Sequence, residues 1–403
     1  MVSTAQLCLY CKGSRHLCGL ERCPLLDAAE KNKKIKIKKE FFGPSSSVFV
    51  GRMGYPNVFV GPLGILNNKN LKITDNPEKW FGIDYNKIIE MRSGILRSKY
   101  KINVKNKTKF AEENRLIAMS KKPTDIEMKF KGKLLYSMNF SDIVQPIGPS
   151  ASLKEMKITE NVKIKRAVEN ITNDELKSAE AISILYKKNV DIYKITDIFS
   201  VGVLGLNENK KMVPTRWSIT ATDDILAKSL LEKIRNYKTI NDYRVYESNL
   251  LNNHFIILLM PGNWEFENFE AWAPGSFWSQ NLKKMEITEE YEPFAGRTKY
   301  ADKQVGGYYA TRFGIAEALK KMKRQTRAVV FREIYEGYMV PVGVWQVREN
   351  VRNAMKSNYN KFSTRKEALN FIKNKLMVNL DEYLKKSKIL KQKRLSDFLF
   401  NSI

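Results

Sequence analysis

Histidine is almost missing from this chain: His16 and His254 are the whole supply in 403 residues. A catalytic triad that relies on an imidazole base is therefore excluded as a leading idea. His254 opens the apolar run His254 to Met260 and reads as a core or edge histidine. Cysteine is absent after residue 23. No run of about 18 apolar residues occurs, so no membrane-spanning helix is expected. Met1 to Tyr10 lacks a charged start followed by an apolar stretch, so no secretion signal is read there. Carboxylates are also short. There are 43 Asp and Glu against 70 Lys and Arg, a formal charge of +27 with a pI near 9.7. Balanced ion-pair networks of the heat-stable kind cannot absorb that excess. It calls for a polyanionic partner, most simply nucleic acid. Hydrophobic residues make up 43%, enough for one large domain or two ordinary ones.

What is present starts with four cysteines, Cys8, Cys11, Cys18 and Cys23. A Cys-x₂-Cys pair places two thiolates on one tight turn, and a Cys-x₄-Cys pair closes a tetrahedral zinc shell. Gly13 and Gly19 supply turns and Pro24 ends the module; His16 is read as a neighbour because four cysteines complete the shell, with replacement of Cys18 as a ligand its other reading. Disulfides are the competing reading, set aside because a basic chain of this kind is expected in the cytoplasm, near the nucleoid, where thiols stay reduced. The expected organisation is a zinc module over 1–30, a basic body over 31–383 with a subdivision near 190–200, and a free tail over 384–403.

The body reads as α+β. Lys31 to Lys39 is a basic linker or a nucleic-acid contact. Val48 to Gly54 is echoed by Val58 to Gly64 across Gly54-Tyr55-Pro56, which predicts a hairpin. Trp80 to Tyr100 shows helical apolar spacing with Arg92, Arg97 and Lys99 beside it, a basic helical face. Residues Val201 to Thr220 suggest a second hairpin, and Asp223-Asp224 open a helix to Ile234 with Thr222 as its N-cap. A buried strand is expected at His254 to Met260, a helix from Gly306 through Met322, and strands at Ala328 to Phe331 and Pro341 to Val347. A last helix begins near Thr364, with Glu367 completing a capping box.

Chemistry-bearing candidates are few. Glu265 and Glu267 alternate along one strand face and would suit a metal for phosphodiester chemistry, against the plainer reading of solvent-facing charge. Asp223-Asp224 is better explained as favouring a helix dipole. Glu333 or Glu349 would serve a nucleotide-dependent transfer to DNA such as ADP-ribosylation. Arg52, Arg216 with Trp217, Arg297 and Arg348 stand beside aromatics or glycine turns and would contact nucleic acid. An RNA-binding protein is the third class that fits these features.

The tail reads Gln392-Lys393-Arg394-Leu395-Ser396-Asp397-Phe398-Leu399-Phe400. Three-residue spacing stacks side chains on one face of a 3₁₀ turn, a form in which a short anchor enters a groove. Gln392, Leu395 and Phe398 resemble the peptide that binds the PCNA sliding clamp, whose pattern is Gln-x-x-aliphatic-x-x-aromatic-aromatic. Leu399 departs from it at the second aromatic position, where Phe400 would substitute. A wider resemblance joins the four cysteines, Phe49 to Arg52 with Gly54-Tyr55-Pro56, Val213 to Ser218, Gly306 to Tyr309 and Pro341 to Trp345. Together these resemble the archaeal Nre family, over most of the chain outside Lys101 to Lys188. The resemblance implies a role in DNA damage repair, a four-cysteine zinc module and PCNA binding through Gln392 to Phe400. It implies no reaction.

Overall fold

The computed structural model describes residues 39–66, 71–74, 76–132, 148–273, 285–335, 338 and 342–392. Two compact units are present, divided between Leu226 and Ala227, with Val342 and Gly343 belonging to the first. Helices and strands are mixed in both, as α+β requires. Among the described residues no helix is long and apolar enough to cross a membrane.

The first unit is built on five strands: β1 (Glu40–Val50), β2 (Asn57–Ile65), β3 (Ile95–Asn103), β4 (Thr124–Phe130) and β5 (Ser150–Ile158). They close into a barrel in the order β1-β2-β3-β5-β4, with β4 also paired to β1. The β3–β5 pair is parallel and the others are antiparallel. Period-two alternation sends Val48, Val50, Val58, Val60, Ile102, Ile126, Met128 and Leu153 into the interior, all buried. The expected hairpin is β1 and β2, whose turn uses Gly54 at φ +78°. Gly61 is required by close approach, because a Cβ there would lie 2.5 Å from the Ser98 carbonyl oxygen.

Helix α1 (Tyr85–Ser93) precedes β3 and helix α2 (Lys109–Met119) joins β3 to β4. The helical reading of Trp80 to Tyr100 therefore holds only as far as Ser93. Gly94 caps α1, and Arg97 and Lys99 belong to strand β3. After the barrel come α3 (Arg166–Asn173), α4 (Ser178–Lys187) and α5 (Ile192–Ser200), the last capped by Asp191 on Tyr193 N and Lys194 N. The second hairpin expected at Val201 to Thr220 does not form. Gly202 and Gly205 at φ +74° and +121° turn the chain, and α6 (Thr215–Ile234) begins at once after Pro214. Proline has its φ fixed for helix entry, and tertiary packing overrides the strand preference of Thr215, Ile219 and Thr220. Thr222 and Asp223 are buried inside that helix and do not open it.

The second unit is a sheet of β6 (Tyr243–Leu250), β7 (Asn253–Met260), β8 (Glu265–Trp272), β9 (Glu286–Glu292), β10 (Arg327–Ile334) and β11 (Asn360–Phe362), ordered β11-β6-β7-β10-β8-β9. Helices α7 (Gly306–Met322) and α8 (Trp345–Ala354) pack on the face of Phe255, Ile257 and Val330. Helices α9 (Arg365–Lys373) and α10 (Leu380–Lys386) pack on the face of Ile256, Leu258 and Phe331. Strands β7 and β10 are buried along their whole length, as a central position between two helical layers demands. The strand expected at Pro341 to Val347 is replaced from Trp345 onward by α8, after Gly343 at φ +105° turns the chain. The capping box on α9 is present, with Thr364 and Glu367 exchanging side-chain bonds at 3.2 Å.

Candidate nucleic-acid interface

Two phrases about 160 residues apart in sequence meet on the barrel unit. Val50 N donates to Thr215 Oγ1 at 2.9 Å, and the Tyr55 and Trp217 rings lie 5.3 Å apart at 52°. Ser200 Oγ donates to the Val213 carbonyl at 2.8 Å and touches Thr215 Oγ1, which fixes the entry to α6. The β1–β2 turn and the start of α6 thus form one surface carrying Arg52, Tyr55, Arg216 and Trp217. Tyr55 is 40% exposed and Trp217 45%. Arg52 and Arg216 are exposed.

From this corner a face extends across β1, β2, β3 and β5. Register puts Phe49 opposite Gly61, Phe59 opposite Lys101, Leu63 opposite Arg97, and Lys99 opposite Ser152. Opposed residues share a sheet face, so Phe49, Phe59, Arg97, Lys99 and Lys101 stand together on the outside. The Arg97 guanidinium lies 3.7 Å over the Phe49 ring, and Lys99 Nζ donates to Ser150 Oγ at 2.9 Å. Among the described residues no carboxylate answers these cations. Residues 41–74 and 91–111 contain no Asp or Glu. Among the described residues Arg97 Nε is buried with no hydrogen-bond partner. Burial pulls the Arg97 guanidinium down to about 10, and burial followed by the charge of Arg97 lowers Lys99. Both shifts run in the direction that taking a cation out of water produces.

Arginines of the second unit are engaged differently. Arg297 pairs with Glu290 at 2.6 Å and donates to the carbonyls of Tyr291, Lys299 and Tyr300. Arg348 is buried in α8. Arg327, Arg332 and Arg352 pair with Glu265, Glu270 and Glu317 at 2.5 to 2.7 Å.

The carboxylates singled out from sequence are likewise engaged. Glu265 and Glu267 share a face of β8, as expected, but neither is solvent-facing charge. Glu265 holds Arg327 at 2.5 Å and accepts from Tyr291 Oη at 2.7 Å. Glu267 is fully buried and accepts from Ser387 Oγ and from Lys388 N, clasping the chain after α10. Burial pushes its carboxyl up to about 7. Glu333 accepts from Met377 N and Val378 N at 2.9 Å and from Tyr335 Oη and Tyr383 Oη. Glu349 pairs with Arg352 at 2.9 Å. His254 is a buried strand residue held between Glu247 and Tyr335, each at 2.9 Å. Among the described residues no cluster of three His, Cys, Asp or Glu could hold a metal ion.

Cys8, Cys11, Cys18 and Cys23 lie outside the described residues, as do Leu395, Phe398, Leu399 and Phe400. Gln392 is described: it is exposed, and its side-chain oxygen accepts from Arg327 Nη2 at 2.9 Å. Sequence reading missed Lys101 and placed Arg97 and Lys99 on a helix. The signal that marks them is the pair of carboxylate-free stretches.

A closed five-stranded barrel ordered 1-2-3-5-4, with a helix between its third and fourth strands, is the oligonucleotide/oligosaccharide-binding arrangement. The molecule is thus an α+β protein that joins such a barrel to a three-layer unit. Its sequence places it more narrowly. The chain belongs to the archaeal Nre family, matching "Archaeal Nre, N-terminal" over residues 17–279 and "Archaeal Nre, C-terminal" over residues 292–398. It is 36% identical over 390 residues to the DNA repair protein NreB of Archaeoglobus fulgidus, covering 96% of this chain and 97% of that one. It is 37% identical over 366 residues to the DNA repair protein NreA of the same organism, covering 90% and 92%. The DNA repair protein NreA of Haloferax volcanii is 33% identical over 356 residues, covering 86% and 85%. No solved structure matches the chain.

Proposed function

We propose that this chain is a DNA repair protein that binds DNA and is recruited to the PCNA sliding clamp by its C-terminal peptide. The observation that carries the DNA-binding part is the barrel face, where cations stand beside aromatics with no carboxylate to pair them. Arg97, Lys99 and Lys101, with no carboxylate partner among the described residues, attract phosphate, and the net charge of +27 steers the encounter. The names of the similar archaeal proteins support the repair role. Leu395 and Phe398 are the anchors that enter the clamp, aided by Leu399 or Phe400, with Gln392 bonding at the rim. Cys8, Cys11, Cys18 and Cys23 hold one zinc ion as a structural module. The reading places the protein in the cytoplasm at the nucleoid.

A mobility assay on circular DNA loaded with clamp tests the two parts together. The full chain binds the DNA alone and forms a larger complex when clamp is present. A chain lacking residues 392–403 keeps the first band and loses the second. A deletion that still forms the larger complex removes the tether, and a full chain that shifts no DNA removes the binding role.

A further inference from the structure

Resting on the DNA-binding reading and sharpening it, we propose that the outer face of β1–β2–β3 binds single-stranded DNA, with bases stacked on Phe59 and phosphates held by Arg97, Lys99 and Lys101.

The rings decide between single strand and duplex. Phe59 is 44% exposed in the middle of β2, where its neighbours across the pair are Lys101 and not an apolar cover. Bases of a duplex are stacked inside it and offer only edges and phosphates. A bare aromatic ring on a sheet gains by stacking only with an unpaired base. Tyr55 and Trp217 form a second aromatic platform at the end of the β1–β2 hairpin, 5.3 Å apart and both partly exposed. The two platforms are four residues apart along one hairpin, from Tyr55 to Phe59.

The cations supply the other half. Lys101 stands directly opposite Phe59, within about 5.5 Å at Cβ for such a pair. Lys99 and Arg97 follow at alternate positions on the same face, so positive groups run along β3 at about 7 Å intervals. That line flanks the ring and matches a backbone lying beside its stacked bases. Arg97 adds an independent sign: its Nε is buried without a partner among the described residues, and its guanidinium has no carboxylate. Burying such a donor unpaired is costly, and a phosphate oxygen removes the cost. The β1–β2 turn contributes Arg52, exposed beside Tyr55.

The test uses the full chain, fluorescence anisotropy and three probes: a twelve-residue oligothymidylate, a duplex of mixed sequence and a twelve-residue oligouridylate. Phe59→Ala weakens binding of the oligothymidylate about tenfold or more and leaves the salt slope unchanged, since stacking releases no counterion. Phe59→Trp restores it. Lys101→Ala lowers the salt slope by about 0.7, the value for one phosphate contact on a single strand. Both variants keep duplex affinity within about twofold and melt with the wild type, their side chains being exposed. Equal loss on single strand and duplex overturns the proposal, as does wild-type affinity for the single strand in both variants. In either case DNA binding itself stands and is carried by another surface. A tenfold preference for oligouridylate overturns the assignment to DNA. Failure of the wild type to bind any probe at low salt would instead remove the DNA-binding reading on which the proposal rests.

Discussion

Arg327 reaches the first residue of the clamp-like peptide: its Nη2 donates to Gln392 Oε1 at 2.9 Å and to the Ile389 carbonyl at 3.2 Å. Its Nε is held by Glu265 at 2.5 Å. The root of the tail is therefore tied to the second unit, by Glu267 at Ser387 and Lys388 and by Arg327 at Ile389 and Gln392. For Gln392 to sit in a clamp it must leave Arg327.

That exchange has a measurable effect. A charge-assisted hydrogen bond is worth about 1.5 to 3 kcal/mol, so the full chain should bind clamp about tenfold or more weakly than a synthetic 392–403 peptide. Arg327→Ala should close most of the gap. Phe398→Ala should cost about 2 kcal/mol, some thirtyfold, since an aromatic anchor loses much of its buried surface. Calorimetry on the four species decides it. Equal affinity of chain and peptide would mean that the contact is irrelevant to docking.

Glu267 predicts a pH dependence. Its folded carboxyl titrates near 7 against an ordinary 4.5, raised by burial and held back by the bonds from Ser387 and Lys388. The folded state thus binds the extra proton, and stability is greatest below the unfolded value. It falls as pH rises from about 4.5 to about 7, by up to about 3 kcal/mol. Glu267→Gln keeps a carbonyl oxygen for Lys388 N and turns its amide NH2 toward Ser387 Oγ, which can accept, so it should flatten the profile and melt above the wild type at pH 8. Thermal denaturation from pH 5 to 8 would show it, and identical profiles for the two proteins would refute the assignment.

Glu333 should behave as a brace. Alanine there strands two backbone amides and the buried Tyr383 hydroxyl, and leaves the Tyr335 hydroxyl with His254 alone. The expected loss is at least about 3 kcal/mol in chemical denaturation. An unchanged midpoint with altered activity would restore Glu333 as a catalytic candidate.

Metal analysis of the purified chain should find about one zinc per molecule, lost with Cys8→Ser or Cys23→Ser. Two disulfides by mass, with no metal, would contradict it.

Local signals were the legible ones. The β1–β2 hairpin, the apolar run of β7, the α7 stripe and the Thr364–Glu367 capping box are each written within about twenty residues. Long-range pairing was not. The barrel depends on a parallel match of β3 with β5, about fifty residues apart, which leaves no periodic trace in either strand. The helical spacing continues through Arg97 and Lys99 because α1 runs into β3 with only Gly94 between them. Trp345 and Thr215 begin helices in stretches rich in strand-formers, where buried packing outweighs local preference. Of the proposed nucleic-acid contacts, Arg52, Arg216 and Trp217 share one surface because the start of α6 packs on the β1–β2 turn. Which arginines already have carboxylate partners cannot be read without the fold, and that separates Arg97 from Arg297.

The salt dependence of DNA affinity tests the central claim most directly. Four barrel cations, Arg52, Arg97, Lys99 and Lys101, at about 0.7 each, predict a slope near −3 for log affinity against log salt on single-stranded DNA. The full chain should bind at 50 mM salt and weaken by one to two orders of magnitude at 200 mM. Undetectable binding at 50 mM, or an affinity indifferent to salt, would contradict the account.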